Sequence, residues 1–179
     1  MKKTIPDQVN PGYLAETLCS LADRAVNFVV AGGVALVLHG VNRITYDLDL
    51  AVAPDPANLR LFLDEIARLA FVPRAPVSPD SLLDPEMVQR MVQEKHAIVF
   101  SFWSPDEPYK QIDIFLTKEN SFADLFEDAE IIQLRGRRIK VASKRKLIEM
   151  KERIRPRREK DIQDIRALIE IETASKGWS

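Results

Sequence analysis

"VAGGVALVLHGVNRITYDLDLAV", residues 30–52, combines two features that a buried segment rarely shows together: the adjacent glycines Gly32 and Gly33, and two aspartates, Asp47 and Asp49, one residue apart in an apolar run. Residues 26–31, which lead into it, form a short apolar strand that the glycines end. Residues 34–39 have the apolar content of a buried helix, and Gly40 is a natural C-terminal stop. Residues 45–52 then alternate, with Asp47 and Asp49 on one face of a strand and Leu48 and Leu50 on the other. The unit reads as strand, glycine turn, helix, strand.

Carboxylates at i and i+2 of a strand lie roughly 6–7 Å apart at Cα, close enough to share a divalent cation. A third acid, Asp113, sits in QIDIF between Ile112 and Ile114, on a strand otherwise fit for burial and on a face read as opposite to theirs. Three carboxylates on adjacent strands make the hard oxygen set that magnesium prefers. The glycine turn supplies a complementary feature, because bare backbone N–H groups at a helix N-terminus bind phosphate. Both oddities then have one explanation: Gly32 and Gly33 hold phosphate, and Asp47 and Asp49 hold the metal that bridges it. No G-K-[ST] or G-x-G-x-x-G pattern occurs, which excludes a P-loop and a dinucleotide fingerprint.

The order Gly-Gly, helix, D-L-D strand, later I-D-I strand resembles the DNA polymerase beta superfamily of nucleotidyltransferases, whose signature is Gly-Gly or Gly-Ser, a spacer of about a dozen residues, an Asp-x-Asp pair and a later acid. Thirteen residues separate Gly33 from Asp47. The run GGVALVLHGVNRITYDLDL looks most like the abortive-infection AbiEii-type branch, and the tail LIEMKERIRPRREKDIQDIRAL is similar to that branch's C-terminal pattern. The resemblance places Lys151, Arg157 or Arg158, Asp161 and Asp164 on motif positions. Where relatives carry a serine after glycine, Val34 stands here, so backbone donors alone are implied for phosphate.

What the resemblance implies is an α/β nucleotidyltransferase fold, a mixed β-sheet flanked by helices, with core 1–142 and a basic helical tail 143–179 packed on it. The implied reaction moves a nucleoside monophosphate from an NTP to an acceptor hydroxyl and releases pyrophosphate. Asp47, Asp49 and Asp113 would be catalytic and would bind two magnesium ions, with manganese as a substitute. Gly32, Gly33, Arg43 and Lys151 would bind nucleotide, and Arg157, Arg158, Asp161 and Asp164 would support them. The acceptor is a tRNA, a partner protein or a small antibiotic. A non-catalytic nucleotide- or RNA-binding module, or a chain paired with a cognate antitoxin, are the competing readings.

Several residues carry a second reading. Arg43 either steadies a triphosphate or pairs with Asp47 or Asp49. Asp161 and Asp164 stand four residues after Arg157 and Lys160, so intrahelical ion pairs also account for them. His39 reads as a cap or core hydrogen-bonding residue, Cys19 as helix core, and Trp103 and Tyr109 as packing or as base-stacking residues.

Composition agrees with one core. The 179 residues are 46% hydrophobic, too few for two ordinary domains. One cysteine and two separated histidines give no zinc spacing, so a metal here is oxygen-bound. The apolar stretch 28–38 is too short and glycine-rich to span a bilayer, and a cytoplasmic location is expected. Residues 135–160 hold 13 of the 26 Lys+Arg with three acids, an excess of ten positive charges in a chain of net charge -1. That excess is either a polyanion-attracting surface or a solvated helix face.

Outside the deciding stretch, Asn10-Pro11, Asp55-Pro56 and Asp84-Pro85 each mark a helix start. Pro73, Pro76 and Pro79 mark a loop. Residues 97–102 and 111–116 read as strands, EIIQL and RRIKV as a hairpin about Arg135-Gly136, and the chain from Ser143 as helical with a break at Pro156.

Overall fold

The computed structural model describes residues 12–176; the expected cap at Asn10-Pro11 lies outside them. Seven strands form one mixed sheet: β1 (Phe28–Ala31), β2 (Asp47–Val52), β3 (Val72–Pro73), β4 (Val99–Trp103), β5 (Gln111–Phe115), β6 (Glu130–Leu134) and β7 (Arg137–Val141), in the order β3-β4-β5-β2-β1-β7-β6. Helices α1 (Gly12–Asp23), α2 (Gly32–Leu38), α3 (Pro56–Arg68), α4 (Pro85–Lys95), α5 (Phe122–Phe126), α6 (Lys144–Glu152) and α7 (Glu159–Lys176) flank it.

The first strand pairs are set by β1, which is buried throughout and runs antiparallel to β2 with Ala31 opposite Asp49. β2 runs parallel to β5, which is antiparallel to β4. Alternation along β4 and β5 then separates two faces. Phe100, Phe102, Ile112 and Ile114 join Leu48 and Leu50 in the core, where Phe62 of α3 meets Phe102 edge-on at 6.1 Å. Val99, Ser101, Trp103, Gln111, Asp113 and Phe115 remain on the half-open face.

Helix starts follow the local chemistry. Asp55 accepts a hydrogen bond from Asn58 N, Asp84 accepts from Glu86 N and Met87 N, and Ser143 accepts from Lys146 N. Each satisfies backbone donors that the first turn leaves without a helical partner. The β6–β7 turn uses Arg135 (φ 46) and Gly136 (φ 81), two left-handed residues as a type I′ hairpin requires. The tail is built into the core at Leu147 and Leu168, both essentially inaccessible to solvent. Residues 72–73, read as loop, pair with Trp103 and Phe102 as a short edge strand; the prolines hid it, and an edge is where strand proline is tolerated. No helix among the described residues is long and apolar enough to cross a membrane.

Candidate active site

Parallel pairing of β2 with β5 sets Asp47 opposite Gln111 and Asp49 opposite Asp113. Residues in register project from the same sheet face. Asp113 therefore stands beside Asp49, and the expectation of an opposite face is corrected. Sequence could not fix this, because the face of an isolated strand depends on a register set by its partner.

Gly32 and Gly33 turn out to be the first residues of α2, and their lack of side chains has a steric cause. A Cβ on Gly32, whose φ is +59, would lie 1.8 Å from Asp49 Oδ2, and one on Gly33 would lie 2.4 Å from Thr45 Oγ1. Gly33 N–H also donates to the Asp49 carboxylate. Gly32 thus makes room for Asp49, and Gly33 for Thr45.

Burial, reinforced by Asp113 and Asp47, pushes the Asp49 carboxyl up to about 7, against the lowering effects of Lys151 and the Gly33 hydrogen bond. Asp47 is also raised, by desolvation and then Asp113, while Lys160 and Arg74 oppose the shift. Both cations therefore lie near enough to Asp47 to act on it. Gln111 Nε2 donates to both Asp113 oxygens at 3.0 Å.

A cleft of about 380 Å³ is lined by Gly32, Gly33, Asp47 and Asp49 together with the cations Arg43, Lys151, Arg158 and Lys160. Arg43 pairs with neither Asp47 nor Asp49. Its Nη1 bonds Asp164 at 2.6 Å, and its Nε is buried with no hydrogen-bond partner among the described residues. Lys151 Nζ lies 2.7 Å from Asp164 and 3.2 Å from Asp161. Arg158 Nε donates to Asp161 at 2.7 Å.

The intrahelical partners expected for Asp161 and Asp164 are thus replaced by Arg158, Lys151 and Arg43. Burial pushes Asp161 up, but hydrogen bonds from Arg158 and Lys151 outweigh it and hold the carboxyl at about 2. Arg157 is exposed and lies outside the cleft lining, so of the two motif arginines it is Arg158 that reaches it. Much of the basic segment is spoken for in the same way: Arg137 meets Asp23, Lys144 meets Glu130, Arg145 meets Asp128 and Lys146 meets Asp124.

Of the remaining residues, His39 is buried with Nε2 2.8 Å from the Ala142 carbonyl, and Cys19 is buried in α1. Trp103 lies under Arg74, and Tyr109 meets Tyr13 edge-on. Sequence reasoning missed Thr45, Arg74, Gln111 and Lys160. Nothing in their local pattern marks them, since each gains its place through a neighbouring strand or the tail.

As a donor set, Asp47, Asp49 and Asp113 suit a hard divalent cation: all oxygen, mutually repelling and half sheltered. Among the described residues no three acid, histidine or cysteine side chains are gathered to enclose an ion as they stand.

Opposite pH responses follow for metal-free protein. Asp49 has a folded pKa raised above the unfolded value of about 3.9, so the folded state holds a proton that the unfolded chain releases; stability falls as pH rises from about 4 to about 7. Asp161, depressed to about 2, stabilises above about pH 4, and that contribution is lost as pH falls toward 2. Urea titrations at stepped pH in EDTA are expected to show a decline toward neutrality that Asp49→Asn reduces, Asp47 keeping the smaller remainder. An identical slope in that variant contradicts the assignment.

Three solved structures share this architecture. A lincosamide antibiotic adenylyltransferase, LnuA, bound to lincomycin, is 16% identical with a TM-score of 0.60, covering 91% of this chain and 98% of its own. ANT(2″)-Ia in complex with adenylyl-2″-tobramycin is 15% identical with a TM-score of 0.58, covering 92% and 90%. The fold is that of the nucleotidyltransferases. A third structure with this nucleotidyltransferase fold, an antigenic nucleotidyltransferase-like protein from Paracoccidioides brasiliensis, is 19% identical with a TM-score of 0.51, covering 88% and 76%. No family model matches the chain, and no curated protein matches it.

Proposed function

We propose that the chain is a magnesium-dependent nucleotidyltransferase that moves a nucleoside monophosphate from an NTP to a hydroxyl of a small molecule. The observation that carries this reading is the register of Asp49 with Asp113, beside Asp47, where Asp47 and Asp49 share a cleft with Arg43, Lys151, Arg158 and Lys160. Support also comes from two neighbours of the same fold that are named as acting on or holding small antibiotics. They favour a small acceptor over a tRNA or a protein. The AbiEii-type assignment rests on the sequence motif, and a cytoplasmic setting goes with the NTP.

Asp47, Asp49 and Asp113 would hold magnesium, which when bound supplies charge neutralisation and polarises the phosphate oxygens. Arg43 offers its buried, unsatisfied Nε to an anion, and a triphosphate in the cleft would satisfy it. Lys160 and Arg158 face the same space. Asp113, oriented by Gln111 Nε2, takes the acceptor's hydroxyl proton. The acceptor oxygen bonds to the α-phosphorus as the α–β bridging oxygen leaves with pyrophosphate.

Arg43→Ala is expected to weaken NTP binding about tenfold or more, a loss in the range of one charge-assisted hydrogen bond. Titration calorimetry with ATP and magnesium checks it. In the parent, saturating ATP with magnesium at a hundred times Kd stabilises the fold by about 2.7 kcal/mol. Incubation with labelled NTP, magnesium and cell extract, followed by separation of RNA, protein and small molecules, tests the whole proposal. Label on small molecules supports it, and label on RNA or protein overturns the acceptor class.

A further inference from the structure

The row of paired residues that carries the carboxylates does not stop at β5. Across the half-open face it runs Asp49, Asp113, Ser101 over β2, β5 and β4, and the next row pairs Phe115 with Val99. At β4 lies a second cavity of about 470 Å³, lined by Val99 and Ser101 of this face and Phe100 of the opposite one, by Met91 and Leu116, and by Arg74 and Lys95. Its walls are predominantly apolar. Helix α4 forms one side without a single fully buried residue, so its apolar positions are half covered by the protein itself. A mainly apolar pocket of a few hundred cubic ångströms with a few polar groups is the usual form of a small-molecule site.

The charge of this pocket is one-sided. Among the described residues its lining holds Arg74 and Lys95 and no acid, and Lys95 has no acid partner. Arg74 also ties the cavity to the carboxylates. Its guanidinium lies over the Trp103 ring, its Nη1 donates to Gln111 Oε1 at 2.6 Å, and Gln111 in turn donates to Asp113. A hydroxyl group held at Ser101 is one strand spacing, about 5 Å, from Asp113.

We propose that this second cavity is the acceptor site, and that it takes a hydroxyl-bearing molecule with an apolar body and an anionic group. The assignment rests on the nucleotidyl-transfer reading for its role, but its charge preference stands on the cavity alone. Arg74 and Lys95 attract a carboxylate, whereas a polycationic aminosugar meets two like charges with no acid to offset them.

Three probes of one shape separate the possibilities: para-(hydroxymethyl)benzoate, its neutral methyl ester, and the cationic para-(aminomethyl)benzyl alcohol. Binding to the full chain is read by NMR titration without nucleotide. The anionic probe is expected to bind about tenfold more tightly than the cationic one, with the ester between them. Lys95→Glu, an exposed change that the fold tolerates, is expected to abolish or invert that order. Shifts are expected at Val99, Ser101 and Leu116. Absence of binding by all three probes, equal or stronger binding of the cation, or an order unchanged in Lys95→Glu overturns the inference. A thermal shift with ATP and magnesium is measured alongside: if that shift is missing, the nucleotidyl-transfer reading fails, while the probe order still decides the pocket's chemistry.

Discussion

Asp49→Asn is expected to reduce nucleotidyl transfer at least about a thousandfold, roughly 4 kcal/mol of transition-state stabilisation at 1.36 kcal/mol per decade. Asparagine keeps the shape and the room made by Gly32, but it removes the charge that a divalent cation needs. Asp47→Asn and Asp113→Asn are expected to lose a comparable amount. Because the three carboxylates act on one reacting centre, the Asp47→Asn, Asp49→Asn double variant should be little worse than either single one. Stability should move the other way. Asp49 is raised by burial and by its like-charged neighbours, so the Asn variant should melt at or above the parent's temperature at neutral pH in EDTA. Asp106, an exposed loop acid, is the control, and Asp106→Asn should stay within a few-fold of parental turnover. Near-parental transfer by Asp49→Asn on a verified acceptor would falsify the metal-assisted mechanism.

Gly32→Ala should lower transfer about a hundredfold or more while leaving a folded protein, since a reacting group misplaced by about 1 Å costs on that order. Two effects combine at this position. The left-handed φ of +59 costs an L-residue about 1–2 kcal/mol, and the new methyl carbon would start 1.8 Å from Asp49 Oδ2, so the carboxylate must move. Gly136→Ala separates them. Gly136 has φ +81 and open space around its Cβ position, so the strain is shared and the collision is not. Gly32→Ala should lose more stability than Gly136→Ala in a thermal melt, by the cost of displacing Asp49, and Gly136→Ala should keep its turnover. Equal turnover in the two variants would show that Gly32 answers only to backbone conformation.

Several parts of the molecule were legible because they depend on chain-local physics. The apolar run 26–31, the glycines and the alternating D-L-D-L run mark β1, α2 and β2, and the observed bounds differ by a residue or two. Asp55-Pro56, Asp84-Pro85 and Ser143 mark helix starts because a capping oxygen, joined at the first two by a proline in the first turn, acts within a few residues. Arg135-Gly136 marks a hairpin for the same kind of reason. Two left-handed residues suffice, whatever lies elsewhere in the fold.

The fate of the charges was not legible. Asp161 and Asp164 have local cations four residues before them, yet they bind Lys151, Arg158 and Arg43, the last more than a hundred residues distant in sequence. A buried carboxylate takes the partners that tertiary packing brings to it, since leaving it unpaired away from water is costly. The basic segment is similar: its excess is a property of sequence, but Asp23, Asp124, Asp128 and Glu130 come from elsewhere to meet it.

By itself the sequence determined which residues are the candidates for the chemistry, through spacing, alternation and the absence of side chains at Gly32 and Gly33. Only the tertiary structure decided how they meet: the β2–β5 register puts Asp113 beside Asp49, and the return of α6 and α7 closes the cleft with Lys151, Arg158 and Lys160. The physical reason is range. Strand period and helix capping are set by neighbours in the chain, whereas register, carboxylate pairing and the pKa of Asp49 are set by groups that become neighbours only when the sheet forms.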